Sequence, residues 1–153
     1  MGILDGKRLL ITGVLTDASL AFAVAKLAQE EGAEIVLTGA GRGMRLTERT
    51  ARKLPEEAEV LEFDVTSAEQ AAAVRSHLAA KWGQVDGALH AIGFAPEVCL
   101  GEDFMAAQWA DVSVAVEISA YSLKTVAEVV APLMTGGGSI VGLDFDARFA
   151  WPA

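Results

Sequence analysis

Five short apolar runs alternate with longer stretches of helical periodicity, and this alternation constrains the fold more than any other feature of the chain. The runs are short, apolar and β-branched, so each predicts a strand, and the first, Arg8–Gly13, lacks alternating polar positions and predicts a strand buried on both faces. Strands joined through helices by connections of about two to six residues form right-handed βαβ units and a parallel sheet. The predicted strands cover residues 8–13, 33–38, 58–63, 87–92 and 139–143.

The first predicted helix follows the first strand. Asp17 or Ser19 caps its N-terminus, it runs through Glu31, and Gly32 ends it. Its apolar residues share one face, and we expect that face to pack on the sheet. The residues on this face are Leu20, Val24, Leu27 and Ala28.

Three further helices are predicted along the chain. The second covers residues 46–54. The third begins at a capping box formed by Thr66 and Glu69 and runs through Lys81. The fourth is a long amphipathic helix over residues 112–134, which leads to the fifth strand.

These elements predict an α/β fold of three layers, in which a doubly wound parallel sheet carries helices on both faces. In such a sheet a ligand binds beyond the carboxyl ends of the strands. A length of 153 residues, of which 52% are hydrophobic, predicts a single domain over residues 1–153. No helix follows the fifth strand, so we expect an incomplete sheet of about five strands, the N-terminal part of a longer fold.

Charge excludes several classes of partner. The net charge is −9, and residues 54–153 carry four basic and fifteen acidic side chains, so we expect neither a nucleic acid nor an anionic membrane surface. The most apolar long stretch is interrupted by Glu117, Lys124 and Glu128, which argues against a membrane span. The N-terminus lacks the residue order of a signal peptide, and we expect a cytoplasmic protein.

The first predicted strand ends at Gly13, and a short turn leads into the first helix. Backbone N–H groups and the helix dipole at such a helix N-terminus favour an anion such as pyrophosphate. The three-glycine fingerprint is incomplete, because Ser19 and Ala21 stand where further glycines are expected. On this motif alone, both a dinucleotide site and a strand–turn–helix without a ligand stay open.

The ends of the later strands carry weaker signals. Residues 38–42 contain no acid that would hold the adenosine ribose hydroxyls. Arg42 is compatible with a 2′-phosphate, although a solvated surface arginine is the favoured interpretation. Asp64 either accepts a hydrogen bond from an adenine amine or caps the turn into the next helix. His90 has no second ligand in register, so we expect a satisfied, half-buried histidine and no metal site.

Together, these segments resemble the NADH-dependent enoyl-acyl-carrier-protein reductases of bacterial fatty-acid synthesis, in the short-chain dehydrogenase/reductase superfamily. The mycobacterial and actinobacterial branch is the most similar, and Ser-Leu-Ala in place of later glycines is typical of it. The resemblance implies a Rossmann-like fold that binds NADH, with NADPH less favoured. The matching segments, in order over nearly the whole chain, are residues 6–8, 12–21, 61–65, 86–94, 118–122 and 137–146.

The resemblance also implies which residues meet the cofactor and the substrate. It places Gly13, Val14, Ser19 and Leu20 at the pyrophosphate, Asp64 and Val65 at the adenine, and Ala91, Ile92 and Gly93 near the ribose. It places Ile118 and Leu143 beside the nicotinamide, and Phe94 and Phe145 beside the enoyl substrate. The family often has serine at the position of Ala91 and an aromatic residue at that of Ala40, so this chain departs from the family at the adenine and ribose contacts.

The implied reaction is hydride transfer from NADH to C3 of a trans-2-enoyl thioester carried by acyl carrier protein or coenzyme A. The family's catalytic tyrosine and lysine come shortly after a Trp-Pro segment, which here is Trp151-Pro152, so no catalytic residue is assigned in this chain. Tyr121 is not a substitute, because Lys124 follows it at the wrong spacing. We expect an inactive, self-associating chain from a family of homotetramers. Another short-chain reductase acting on a ketone, or a non-catalytic nucleotide-binding module, stays open.

Overall fold

Residues 2–101 and 103–144 are described by a computed structural model, in which five parallel strands form one sheet. The strands are β1 (Arg8–Thr12), β2 (Glu34–Gly39), β3 (Glu59–Glu62), β4 (Gly87–His90) and β5 (Ser139–Gly142). Their order across the sheet is β3-β2-β1-β4-β5. The order reverses between β1 and β4, as in a doubly wound sheet, and the predicted fold class is confirmed.

Helices lie on both faces of this sheet. They are α1 (Leu20–Glu30), α2 (Met44–Ala51), α3 (Ala68–Trp82), α4 (Trp109–Val116) and α5 (Ser122–Val130). Four 3₁₀ turns cover Gly41–Gly43, Glu97–Cys99, Phe104–Ala106 and Ala131–Leu133. None of the helices in the described ranges is both long enough and apolar enough to cross a membrane.

Neighbouring residues of the central strand β1 face opposite layers. Leu10 packs with Val74, Leu78 and Val126, which belong to α3 and α5. Ile11 packs in a separate cluster with the alanines of α1 and with residues at the end of α2. Each cluster packs helices against one face of the sheet, so the fold has three layers. The sheet is buried where helices cover both of its faces.

The buried face of α1 differs from the predicted one. Its three buried residues are Ala21, Ala25 and Ala28, whereas Leu20, Val24 and Leu27 are exposed. Alanine adds the least bulk between a helix and a sheet, so the size of apolar side chains was a poor guide to the packed face. The prediction was correct only for Ala28.

The structure also tests two predicted helix caps. Ser19 caps α1, because its Oγ accepts a hydrogen bond from the Phe22 N–H at 3.2 Å. The predicted capping box of Thr66 and Glu69 is wrong: Ser67 caps α3 by accepting from the Gln70 N–H at 3.2 Å. Gly83 ends α3 with a φ of 71°, as a C-terminal glycine does.

The predicted long helix is not continuous. It begins at Trp109 and is divided by a π-helical segment, Glu117–Tyr121, between α4 and α5. Such segments insert one residue into the helical ladder and often occur at functional sites. Here the inserted segment lies where the helix meets the carboxyl end of β4, as its hydrogen bonds show below.

Candidate functional site

A cleft of about 310 Å³ lies at the carboxyl ends of the strands. Its volume is at the lower end of the roughly 300–1,000 Å³ that ligand pockets occupy. It spans the switch point between β1 and β4, which is where doubly wound sheets bind ligands. Its lining residues are Gly13, Leu15, Thr38, Gly39, Ala40, Gly43, Phe63, Asp64, Val65, Ala91, Ile92, Gly93, Phe94 and Ile118.

Gly13 is where the chain turns out of β1, and only glycine fits there. Its φ is +80°, in the left-handed region, and a Cβ at this position would lie 2.0 Å from the carbonyl oxygen of Ala91. The fully buried Thr12 joins the same two strands through its side chain. Its Oγ1 accepts from the Ala91 N–H at 3.0 Å and donates to the Leu89 carbonyl at 3.0 Å. The ends of β1 and β4 are therefore held at a fixed, close separation.

The N-terminus of α1 follows this turn. Among the described residues, the N–H groups of Leu20 and Ala21 have no acceptor, since Ser19 satisfies Phe22 and Ala23. Free N–H groups and the helix dipole together favour an anion at this end. The nearest acid, Asp17, is paired with Lys53 at 2.6 Å, and this contact lowers the pKa of the Asp17 carboxyl.

The π-helical segment Glu117–Tyr121 is hydrogen-bonded to Phe94, a residue that lines the cleft. Ser119 Oγ accepts from the Phe94 N–H at 2.9 Å and donates to the Phe94 carbonyl at 2.8 Å. One hydroxyl thus holds both backbone groups of a residue at the cleft mouth. Ile118, the preceding residue, lines the cleft itself.

A buried pair lies behind this segment. His90 is only 3% exposed, and its Nε2 lies 2.6 Å from Ser122 Oγ, which also donates to the Ile118 carbonyl at 2.6 Å. A hydroxyl has one hydrogen, so a neutral His90 protonated on Nε2 satisfies all three groups. Burial lowers the pKa of His90, which favours that neutral form. The histidine is satisfied, as predicted, but buried rather than half-buried.

Asp64 is the one ionisable residue among those that line the cleft. Its Oδ1 accepts from the Thr66 N–H at 2.9 Å and from the Thr66 hydroxyl at 2.7 Å. The carboxylate therefore stabilises the turn from β3 into α3, one of the two roles predicted for it. Its exposed side leaves room for a further hydrogen bond.

The structure brings most of the predicted contact residues together. Eight line the cleft, and their roles toward a cofactor or substrate stay predictions: Gly13, Asp64, Val65, Ala91, Ile92, Gly93, Phe94 and Ile118. Four do not line it: Val14 is fully buried, Ser19 is the cap of α1, Leu20 is exposed, and the Leu143 N–H bonds the His90 carbonyl at 3.0 Å. Phe145 lies outside the described residues.

Sequence reasoning missed several residues of the site. Leu15, Thr38, Gly39 and Gly43 line the cleft but carry no charged group, so only their position at or just beyond the ends of β1 and β2 could have indicated them. The role of Ser119 in holding the backbone of Phe94 was also not predicted. Its signal was present in the sequence, as a serine one residue after Ile118 in a matching segment, but the partner Phe94 is distant along the chain.

A larger groove of about 730 Å³ lies between α3 and α5, on the flank of the helical layer. It is lined by Arg75, Tyr121, Lys124 and Glu128 among others, and it does not reach the ends of β1 and β4. We prefer the smaller cleft as the functional site because it lies at the switch point. In the described ranges, no group of three His, Cys, Asp or Glu side chains is arranged to hold a metal ion.

Comparison with known proteins agrees with the geometry of the cleft. A family model described as enoyl-(acyl carrier protein) reductase matches residues 13–153. The chain belongs to this enoyl-(acyl carrier protein) reductase family. The matched range begins at the glycine of the β1 turn and includes every residue that lines the cleft.

Relatives of the family share substantial sequence identity with the chain. A protein named enoyl-(acyl-carrier-protein) reductase (NADH) from Mycolicibacterium smegmatis is 46% identical over 156 residues, covering 99% of this chain and 58% of the relative. One of the same name from Mycobacterium avium is 43% identical, with 99% and 58% covered. One from Neisseria meningitidis is 37% identical, with 95% and 56% covered. The chain thus spans less than two thirds of these relatives' length.

Proposed function

We propose that this chain forms the cofactor-binding part of an NADH-dependent reductase of trans-2-enoyl thioesters in fatty-acid synthesis. The observation that carries the proposal is the turn at Gly13, which opens the cleft at the switch point of a family member's sheet. Relatives with this family's name are described as NADH enzymes. The thioester is carried by acyl carrier protein or coenzyme A, and the protein works in the cytoplasm.

The residues present fit a dinucleotide. At Gly13 the backbone is free of a side chain where a pyrophosphate must approach closely, and the free N–H groups of Leu20 and Ala21 follow it. At Gly93 a Cβ would meet nothing within 4 Å, so this glycine leaves the cleft open rather than relieving a clash. Asp64 and Val65 would meet the adenine, and Ala91 and Ile92 the ribose.

The substrate side of the cleft is apolar. Phe94 is 52% exposed at the mouth, held through its backbone by Ser119, and Ile118 lies beside it. An apolar wall suits an acyl chain, because it contributes burial without a competing hydrogen bond. When bound, NADH supplies the hydride that adds to C3 of the enoyl group. The chain's residues orient the reactants and exclude water, and C2 takes a proton from another group.

Tyr121 is the one tyrosine of the sequence, and it lies in the α3–α5 groove rather than in the cleft. The 153 residues therefore offer the cleft no phenolic donor for the developing enolate. An oxyanion donor of this kind is typically worth a few kcal/mol of transition-state stabilisation. We expect the 153-residue chain to bind NADH weakly and to leave enoyl thioesters unreduced.

The test measures NADH binding by calorimetry and crotonyl-coenzyme A reduction by loss of NADH absorbance. Binding without turnover is expected of the 153-residue chain. Gly93→Leu should abolish binding by filling the cleft, whereas Gly101→Leu, whose Cβ would meet only the Glu97 carbonyl oxygen at 4.0 Å and lies outside the cleft, should not. Equal binding by both variants would contradict the proposed cofactor site, and turnover by the chain would contradict its expected inactivity. In a family-length protein, preference for a ketone over the enoyl substrate would favour a keto reductase.

We also propose that the chain self-associates, as part of a family-length homotetramer. Across the α1 side of the sheet, Leu37, Ile11 and Leu89 are buried, but Val141 in register with them is 52% exposed. No helix of the described ranges covers β5 on this side.

The exposed stripe of α1 lies on the same face of the sheet as the exposed Val141. Gln29 bonds Glu56 on the opposite flank of α1, so the stripe of Leu20, Val24 and Leu27 faces the β4–β5 side. Contiguous exposed apolar surface of this kind marks an interface or an association site. Val141→Lys should lower the mass measured by light scattering, and Leu100→Lys, which is exposed elsewhere, should not.

A further inference from the structure

The rim of the cleft at the carboxyl end of β2 contains no acid. Thr38, Gly39, Ala40 and Gly43 line it there, and only Asp64, at the end of the neighbouring strand β3, is ionisable. Asp64 already accepts two hydrogen bonds from Thr66. A carboxylate at the end of the second strand is the usual partner of the adenosine 2′-hydroxyl in dinucleotide-binding sheets. This chain lacks that partner.

Basic residues follow the end of β2, where the expected acid is absent. Arg42 lies between Ala40 and Gly43, two lining residues, on the turn Gly41–Gly43. Arg42 and Arg45 are exposed, and neither has an acceptor among the described residues. Residues 42–53 carry five basic side chains and one acid, a net charge of +4 in a chain of −9.

The neighbouring cations are distributed differently. Lys53 is paired with Asp17 at 2.6 Å, and Arg52 lines a separate groove beside β3. Arg42 is the arginine closest in sequence to the cleft rim. Its guanidinium N–H groups have no acceptor among the described residues. Arginine presents several N–H groups in a planar fork that matches phosphate oxygens.

A carboxylate at this position repels a 2′-phosphate, whereas an arginine nearby accommodates one. We propose that the cleft accepts an adenosine 2′-phosphate through Arg42, so that NADPH binds within about tenfold of NADH. The inference rests on the proposed dinucleotide site and extends it to the second nicotinamide cofactor. Beside Arg42, a Cβ at Gly41 would meet nothing within 4 Å, so the turn leaves room for the added group.

The test uses two ligands that differ only in this phosphate, ADP-ribose and 2′-phospho-ADP-ribose, titrated into the chain by calorimetry. Neither ligand carries nicotinamide, so the readout needs no hydride transfer. The expected dissociation constants lie within about tenfold of each other. Arg42→Gln should weaken the 2′-phosphate ligand by about tenfold or more and change ADP-ribose by less than about twofold.

Two further variants sharpen the assignment. Arg52→Gln removes the same charge from the far end of α2, and both ligands should bind it as they bind the parent chain. Ala40→Asp places an acid at the end of β2, and it should weaken the 2′-phosphate ligand more than it weakens ADP-ribose.

The possible failures are distinguishable. Absence of ADP-ribose binding would overturn the dinucleotide site and the inference with it. Binding of ADP-ribose together with more than about tenfold weaker binding of its 2′-phosphate would overturn the inference alone. Equal losses in Arg42→Gln and Arg52→Gln would mean that general charge attraction, rather than Arg42, holds the phosphate.

Discussion

The two ends of the cleft are built in different ways. At the β1–β4 end, Thr12 bonds both Leu89 and Ala91, and Gly13 has no space for a side chain against Ala91. At the β2 end, Gly39 is followed by an exposed turn, and Gly41, whose φ is also positive, has nothing within 4 Å of its would-be Cβ. One end is fixed by contacts between strands, and the other passes into a turn that is open at Gly41.

The difference suggests which parts of the site tolerate change. The β1–β4 end sets the position of backbone N–H groups, so it is constrained by geometry that only a few residues satisfy. The β2 end contributes side-chain space and charge, so it is free to vary with the ligand's adenosine half. The inferred acceptance of a 2′-phosphate belongs to this second, variable end.

Replacing the two glycines tests the comparison most strongly. Gly13→Ala should lower the free energy of unfolding by about 3–5 kcal/mol, because it adds both a left-handed φ and an overlap with the Ala91 carbonyl. Gly41→Ala adds only the left-handed φ and should cost about 1 kcal/mol. Urea unfolding of both variants measures the costs. Similar costs would mean that the two ends are equally constrained.

Two buried threonines provide the next test, with opposite expected signs. Both are fully buried, but Thr12 bonds Ala91 and Leu89, whereas Thr47 Oγ1, behind Gly39, has no partner among the described residues. Thr12→Val leaves the part-buried Ala91 N–H without its side-chain acceptor and removes the bond to the Leu89 carbonyl, so it should cost about 2–3 kcal/mol.

Thr47→Val removes a hydroxyl that burial already penalises, so it should be neutral or stabilise the chain by about 1 kcal/mol. Thermal or urea unfolding of each single variant suffices. A loss of stability in Thr47→Val as large as that in Thr12→Val would imply a partner for this hydroxyl. The β2 end would then be as constrained as the β1–β4 end.

The same contrast explains what the sequence could predict. The five strands were predicted to within about two residues, because short apolar runs that alternate with stretches of helical periodicity leave few alternatives. Gly13 was found because a glycine directly after a strand has a local signature. The β2 rim was missed as a lining surface because glycine and alanine carry no chemistry of their own.

Other misses come from contacts between distant segments. The division of the long helix depends on Ser119 and Ser122, whose partners Phe94 and His90 are 25 and 32 residues away in sequence. The packed face of α1 depends on how closely the helix approaches the sheet, which favours Ala21 and Ala25 over larger residues. Periodicity alone contains neither piece of information.

The hydrogen bonds between Ser119 and Phe94 should have a smaller effect than the buried contacts. Ser119→Ala removes two hydrogen bonds at an exposed position, where water can replace them, so we expect a loss of about 0.5–1 kcal/mol. Faster amide exchange at Phe94 should accompany it. Ser113→Ala, which removes one hydroxyl that bonds only the Ala110 carbonyl within α4, should leave exchange at Phe94 unchanged.

The smallest expected effect is a pH dependence at the β4 end. Burial lowers the pKa of His90 below its usual value of 6.5, so in the native state this histidine stays neutral where the unfolded chain is protonated. The unfolded state then binds more protons as the pH falls below about 6.5, and stability decreases until the native pKa is reached.

His90→Gln keeps a polar group near Ser122 but cannot titrate, so its stability should change less between about pH 7.5 and 5.5. His77→Gln removes the other histidine, which is half-buried on α3 beside Glu59, and should retain the His90 contribution. Equal pH dependence in His90→Gln and the parent chain would mean that the buried pair is not what couples protons to the folding of this end of the cleft.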